Sequence, residues 1–155
     1  PILELGAMSL SECAQHDTFR EAEFHMPSPD GKSYITGFID LIIRVAQANG
    51  NYLYYVVDWK TTSVKGDYFR ESLEHSMNEK KYTLQYELYN YAVHRWFKQH
   101  FSERHTLAGA IYIYLRGMNV SYPGRGVYFT EENLQFEVLE EQLGLMIGKS
   151  VEVKK

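Results

Sequence analysis

Asp40, Asp58 and Lys60 are the residues whose types and spacing point to chemistry. Asp40 lies inside the run Gly37 to Ile43, GFIDLII, with apolar neighbours on both sides. Asp58-Trp59-Lys60 closes a second apolar run that begins near Tyr52. Burying an unpaired carboxylate costs several kcal/mol, roughly, so a cation belongs beside Asp40. Two carboxylates and a lysine on one face form the outline of a metal-dependent hydrolytic site. A buried salt bridge between Lys60 and one Asp uses the same residues, and spacing alone leaves both readings open.

The elements that must position these groups are two strands, Gly37 to Gln47 and Asn51 to Lys60, joined at Asn49-Gly50. Asn-Gly is a strong hairpin signal. A two-residue turn places Asp40 opposite Trp59, with Asp58 and Lys60 on the other face. A three-residue loop, Ala48-Asn49-Gly50 with Gly50 in the left-handed conformation, pairs Gln47 with Asn51 and sets Asp40 opposite Asp58. Their Cβ atoms would then lie about 4.5–5.5 Å apart and repel, unless a divalent cation turns the repulsion into coordination. Lys60 shares the Asp58 face at about 7 Å along the strand. A shared metal requires the odd-length loop, or a bulge, with Gly50 at positive φ.

An Asp followed by a strand-borne Asp-x-Lys resembles the signature of the PD-(D/E)XK nuclease superfamily. GFIDLI (37–42), VVDWKT (56–61) and KKYTLQYELYNYAVHRW (80–96) are similar to one branch of it, the C-terminal nuclease domain of the RecB-type helicase–nuclease, the beta subunit of exodeoxyribonuclease V. The similarity runs from about Arg20 to Phe129. Asp-x-Lys alone is weak. Joined to Gln85-x-x-x-Tyr89 and to Tyr114-Leu115-Arg116-Gly117, it is specific.

The resemblance implies an α/β fold with a restriction-endonuclease-like core, a mixed central sheet with helices on both faces, and Mg²⁺-dependent hydrolysis of DNA phosphodiesters. Asp40 and Asp58 would hold the metal, with Glu21 and the Trp59 carbonyl assisting. Hard oxygen ligands suit Mg²⁺, or Mn²⁺ in its place. Lys60 would orient water or neutralise developing charge. The helix carrying Tyr82, Gln85 and Tyr89 would border the site and help to hold DNA and the lysine. The implied setting is the bacterial cytoplasm, in double-strand-break repair and recombination, beside the rest of the helicase subunit and RecC- and RecD-type partners. The family also draws a metal-ligating His from a helix far upstream. Only twenty residues precede Glu21, so the chain reads as a C-terminal piece without that helix, and on its own as a weak binder of metal and a poor nuclease.

Composition sets the frame. A chain of 155 residues suits one domain with one core. Hydrophobic content of 45% with 15% aromatic residues argues for a globular protein. The chain has thirteen tyrosines; such residues stack on bases, but strand-rich cores also use them. No apolar run approaches the roughly 18 residues of a membrane span, and no signal peptide is visible. The single cysteine, Cys13, excludes an internal disulfide and a four-cysteine iron–sulfur cluster and fits a reducing compartment. A net charge of −4 argues mildly against a free-standing nucleic-acid binder.

Along the chain, the segment from Pro1 to about Phe19 reads as mildly helical, with His16 as a surface residue. Arg20 to Pro27 reads as a strand on which Glu21 and Glu23 share a face. Glu21, three residues before Phe24, matches the acidic position of the resembled family better than Glu23. Gly37 signals a close backbone approach or a bend. Leu73 to Met77 reads as a short helix and Tyr82 to Phe101 as a long one, with Tyr82, Gln85 and Tyr89 on one face. Gln85, if buried there, needs a partner. His94, His100 and His105 read as surface or helix-end residues. Leu107 to Leu115 and Gly126 to Phe129 read as strands, and Thr130 as the N-cap of a helix from Glu131 to Ile147. A non-catalytic nuclease-fold module used for subunit contacts is the rival reading, which the intact Asp40, Asp58 and Lys60 oppose. A small-molecule hydrolase lacks any phosphate loop or Ser/Cys nucleophile motif.

Overall fold

The structure is a computed structural model that describes residues 4–5, 8–9, 17–28, 31–100, 104–131, 138 and 141. Five strands form the main sheet: β3 (Thr18–Pro27), β4 (Tyr34–Ala46), β5 (Tyr52–Lys60), β6 (His105–Tyr114) and β7 (Val127–Glu131), in that spatial order. Two helices, α1 (Arg70–Glu79) and α2 (Tyr82–His100), connect β5 to β6. That β-α-α-β crossover makes β5 and β6 parallel, and all other neighbours are antiparallel. The sheet is therefore mixed, as the α/β reading expects.

β4 and β5 form the centre because their residues are apolar on both faces. Ile42, Tyr54, Val56, Tyr112 and Tyr114 pack with Leu73 and Met77 of α1 and with Tyr89, Val93 and Phe97 of α2. Leu41, Ile43, Val45, Val57, Ile111 and Ile113 form a second buried cluster on the opposite face. Both described helices lie against the first face; the helical layer expected on the second falls outside the described residues. Four tyrosines, Tyr54, Tyr91, Tyr112 and Tyr114, are fully buried, so this core does use its tyrosines as packing.

The β4–β5 hairpin adopts the odd-length loop. Gln47 N–H donates to Asn51 O at 2.8 Å, Gly50 N–H donates to Gln47 O at 3.0 Å, and Gly50 has φ 81. The ladder Leu41↔Val57 through Ala46↔Tyr52, carried one step further, sets Asp40 beside Asp58.

Beyond Leu41 the alternation slips. In β4, Ile42 and Ile39 both face the helices while Leu41 faces away; in β3, Phe19 and Ala22 both face the helices. The residues absorbing the slip are Asp40 and, opposite it, Glu21, whose φ of 49 is unusual for a residue with a side chain. Gly37 then lies under the Phe24 ring, where a Cβ would meet Cζ at 2.6 Å; its role is close approach.

Several boundaries differ from the sequence reading. Glu4–Leu5 and Met8–Ser9 form a two-stranded antiparallel ribbon, β1 and β2, where a helix was expected. Gly6, in the sequence between them, disfavours a helix. His16 and Cys13 lie outside the described residues. Thr130 and Glu131 belong to β7, pairing with Ala110 and Gly109, so Thr130 is not an N-cap: its ladder partners on β6 outweigh the local cap signal. Of the expected C-terminal helix, only Val138 and Glu141 are described, both helical. α1 is longer than Leu73 to Met77, running from Arg70 to Glu79; just before it, Asp67 Oδ1 accepts from Phe69 N–H and Ser72 Oγ. Lys81, at φ 56, separates it from α2.

The Phe24–Gly37 contact gives a test. Gly37→Ala should destabilise the domain by about 1–3 kcal/mol, the usual scale of overpacking, in chemical denaturation. Combining it with Phe24→Leu should cost less than the two single changes added together.

Candidate active site

The site lies where β5 parts from β4 beyond Leu41↔Val57 while staying paired with β6 through Lys60. Asp58 and Lys60 alternate onto the helix-facing side, between β4, β6 and the first turns of α2. Asp58 is 3% exposed and Lys60 is 8% exposed. Trp59, between them, points to the other face and is 38% exposed.

Lys60 Nζ lies 2.6 Å from Asp58 Oδ2 and donates to Gln85 Oε1 at 2.8 Å. It also stands 3.9 Å from the Tyr82 ring centroid and 5.2 Å from that of Tyr112. Gln85 Nε2 donates to the Tyr89 hydroxyl at 2.8 Å. Gln85 thus has the partners its burial demands, and the Tyr82–Gln85–Tyr89 face of α2 serves to hold the lysine. Thr62 Oγ1 meets the Tyr82 hydroxyl at 3.1 Å, tying the segment after Lys60 to the same helix. Sequence reasoning missed Thr62 and Tyr112, because their places depend on how α2 and β6 dock.

Asp40 enters from β4. Its Oδ2 accepts the backbone N–H of Trp59 at 3.0 Å, a bond that takes the place of a ladder partner once the strands separate. The side chain therefore fixes both the end of the hairpin and its own position beside Asp58. Burial raises the Asp58 carboxyl above its ordinary value; the Lys60 ammonium in contact with it lowers it, and the negative charge of Asp40 raises it again. Tyr89 is pushed up to about 12, by burial first and then by the Asp58 charge. Tyr112 is pushed far up for the same two reasons. Both phenols are therefore neutral hydrogen-bonding groups at physiological pH.

Glu21 falls in register beside Asp40, between the pairs Arg20↔Leu41 and Ala22↔Ile39, so Glu21, Asp40 and Asp58 lie in a row across three strands. Glu21 is exposed, and among the described residues no group of three or more His, Cys, Asp or Glu side chains converges as a metal site. Glu23 lies two residues away and lines a 340 Å³ cavity between β3 and α2. Of the histidines, His105 is not a bare surface residue: it stacks on Tyr52 at 5.2 Å, and its Nδ1 is 2.8 Å from the Tyr54 hydroxyl.

The donor set suits a hard divalent cation. Asp40 and Asp58 present carboxylate oxygens from adjacent strands. Asp58 Oδ2 is buried and, though ion-paired with Lys60, makes no well-directed hydrogen bond. Asp40 has one oxygen engaged by Trp59 N–H. Such a pair carries more negative charge than Lys60 alone offsets.

A model of the PD-(D/E)XK nuclease superfamily matches residues 4–150. The chain belongs to the PD-(D/E)XK nuclease superfamily. Within it, the similarity is to RecB-type nuclease domains. The RecBCD enzyme subunit RecB of Escherichia coli is 30% identical over 118 residues, covering 72% of this chain and 10% of that protein. The RecB subunit of Haemophilus influenzae is 32% identical over 126 residues, with 74% and 10% covered. That of Buchnera aphidicola from Acyrthosiphon pisum is 26% identical over 108 residues, with 66% and 9% covered. The chain thus spans about a tenth of the length of these relatives. Among the described residues, no helix is long and apolar enough to cross a membrane.

The like-charge pair gives the second test. A folded-state carboxyl raised above its ordinary 3.8 binds more protons than the unfolded chain. Its contribution to stability is full below that value and is lost as pH rises through the folded value. Asp40→Asn keeps an oxygen for Trp59 N–H and removes one negative charge. The Asp58 carboxyl should then titrate lower by NMR. With chelator present at neutral pH, the variant should be more stable than the wild type by about 0.5–1 kcal/mol.

Proposed function

We propose that this domain is a Mg²⁺-dependent DNA nuclease, with Mn²⁺ able to substitute, that works as the nuclease module of a RecB-type helicase–nuclease in double-strand-break repair and recombination. One observation carries the reading. A buried lysine is fixed by Asp58, Gln85 and the Tyr82 ring, beside two carboxylates aligned on neighbouring strands, in a chain of a nuclease superfamily.

Asp40, Asp58 and the Trp59 carbonyl would hold the ion, with Glu21 as the remaining carboxylate in line. Bound there, a divalent ion supplies positive charge to phosphate oxygens and acidifies water. Asp58 must be ionised to serve, so the charge of Lys60 keeps it available despite its burial. Lys60 presents its ammonium where negative charge grows as the phosphodiester bond breaks. A cation fixed in advance, away from bulk water, stabilises that charge without reorganising. Gln85 and Tyr82 aim the ammonium; Tyr89 holds Gln85.

The implied partners are DNA, the rest of the helicase subunit, and RecC- and RecD-type subunits. The names of the relatives support these as expectations for the intact protein. The implied location is the bacterial cytoplasm. Exonuclease action is the mode expected of a domain fed by a translocating helicase.

The Lys60–Asp58 contact at 2.6 Å also favours a second reading, in which the pair is structural and the module is non-catalytic. Two experiments on the intact subunit separate them. Titration calorimetry with Mn²⁺ should show binding that Asp40→Ala abolishes. Lys60→Ala, assayed with Mg²⁺ present, should keep metal binding and ATP-driven unwinding while losing DNA cleavage by about two orders of magnitude or more. Full nuclease activity in Lys60→Ala would give the structural reading the lead.

A further inference from the structure

Beyond the metal–lysine site, the C-terminal ends of the parallel strands β5 and β6 carry a second set of cations. In sheets of this kind, ligands bind outside the carboxyl ends of parallel strands. The β5–α1 loop runs from Thr61 to Phe69, and the β6–β7 loop from Leu115 to Gly126. Arg116 Nε donates to Thr61 O at 2.8 Å, and Thr61 directly follows Lys60. Arg125 Nε donates to Asp67 O at 2.7 Å, and its guanidinium lies 5.5 Å from the Tyr68 ring centroid. Each arginine is pinned through Nε to a backbone carbonyl of the loop that leaves the lysine strand. Among the described residues, neither guanidinium makes a further hydrogen bond.

The surrounding backbone is built to hold them. Tyr68 sits at φ 63, a conformation costly for an aromatic residue. Its carbonyl accepts Gly126 N–H at 2.8 Å, and Gly126 O accepts Tyr114 N–H at 2.7 Å. A Cβ on Gly117 would meet Tyr68 at 2.5 Å, and one on Gly126 would meet Tyr114 O at 2.8 Å. The two loops are therefore locked together at van der Waals contact, with one arginine on each side of the lock. Asp67 is an acidic group beside Arg125. Its carboxyl is held low by the Phe69 N–H and the Ser72 hydroxyl first, and only last by Arg125. Exposed Phe69 and Tyr122 meet edge to face at 6.5 Å beside it.

A planar guanidinium with Nε already bonded keeps its terminal nitrogens in one plane. That is the geometry for gripping a phosphate with two hydrogen bonds. We infer that Arg116 and Arg125 form a two-pronged phosphate clamp that fixes the DNA backbone next to the scissile bond, Arg116 on the phosphate nearer Lys60 and Arg125 on one further out. The inference rests on the nuclease reading. It makes both arginines positioning residues, since phosphate contacts set register and carry no base preference.

The test uses the intact subunit and a single-stranded oligonucleotide without ATP, so that unwinding plays no part. Single phosphates near the cut are replaced, one at a time, by neutral methylphosphonates. The wild type should lose roughly tenfold in kcat/KM when a clamped phosphate is neutralised, the scale of a charge-assisted hydrogen bond. Arg116→Ala should lose about as much on the normal substrate and nothing further from the methylphosphonate at its own position, while staying sensitive at that of Arg125. Arg125→Ala should show the converse. The salt slope of KM should fall by about one per arginine removed, and Arg116→Lys should restore the slope but not the full rate. If the arginines only staple the loops, the variants lose thermal stability, and every methylphosphonate costs them what it costs the wild type; that result overturns the clamp. Absence of cleavage in the wild type with Mg²⁺ would overturn the nuclease reading instead. Wild-type cleavage with unchanged kcat/KM and salt slope in both variants overturns the clamp alone.

Discussion

A lysine ammonium with almost no access to water is the constraint on which this structure depends. Lys60 cannot be buried without compensation, and each neighbour supplies some. Asp58 contributes the opposing charge, Gln85 a carbonyl oxygen, and Tyr82 and Tyr112 their ring faces. Those four groups come from β5, α2 and β6. The ammonium therefore fixes how α2 lies across the parallel pair, and the fold and the site share one set of contacts.

The carboxylates follow a different logic. A regular antiparallel ladder would continue past Leu41 and Val57 and satisfy every backbone group. Here the alternation slips at Glu21 and Asp40, and a side chain takes over the Trp59 N–H. Backbone regularity is given up where two negative side chains are brought together. The two carboxylates repel each other in the same place. An apolar strand pair would carry no such repulsion, and a cation bound there would offset it. That local frustration, with Glu21 at φ 49, is the kind of departure from regular backbone that accompanies the proposed metal site.

Much of this was legible in the sequence, for identifiable reasons. Asn49-Gly50 carried the turn, and the requirement that Asp40 and Asp58 share a face chose the three-residue loop over the two-residue one. The three- and four-residue spacing of Tyr82, Gln85 and Tyr89 gave their common face, and the burial of Gln85 demanded a partner, which proved to be Lys60. The misses share a cause as well. Thr130 looks like a helix cap only until β6 is known to lie beside it. The segment around Glu4 to Ser9 has apolar content without a helical stripe long enough to decide, and Gly6 weakens the helix. The face of α2 was read correctly because its signal is local, whereas Arg116, Arg125, Thr62 and Tyr112 matter through neighbours 20 to 58 residues away in sequence, a relation no window of sequence reveals.

The net charge of −4 is the feature that fits a nuclease least well, and the arrangement of charges accounts for it. Non-specific affinity for DNA grows with the number of phosphates neutralised, so an acidic domain does not gather DNA by itself. What it needs is a few cations in the right places, acting on a strand that arrives by other means. Lys60 is buried and aimed; Arg116 and Arg125 are pinned at Nε. A cation with little freedom loses little entropy on meeting a phosphate, and its contribution goes to alignment more than to capture. Such a domain would work as the nuclease module of a larger enzyme whose other parts deliver the strand.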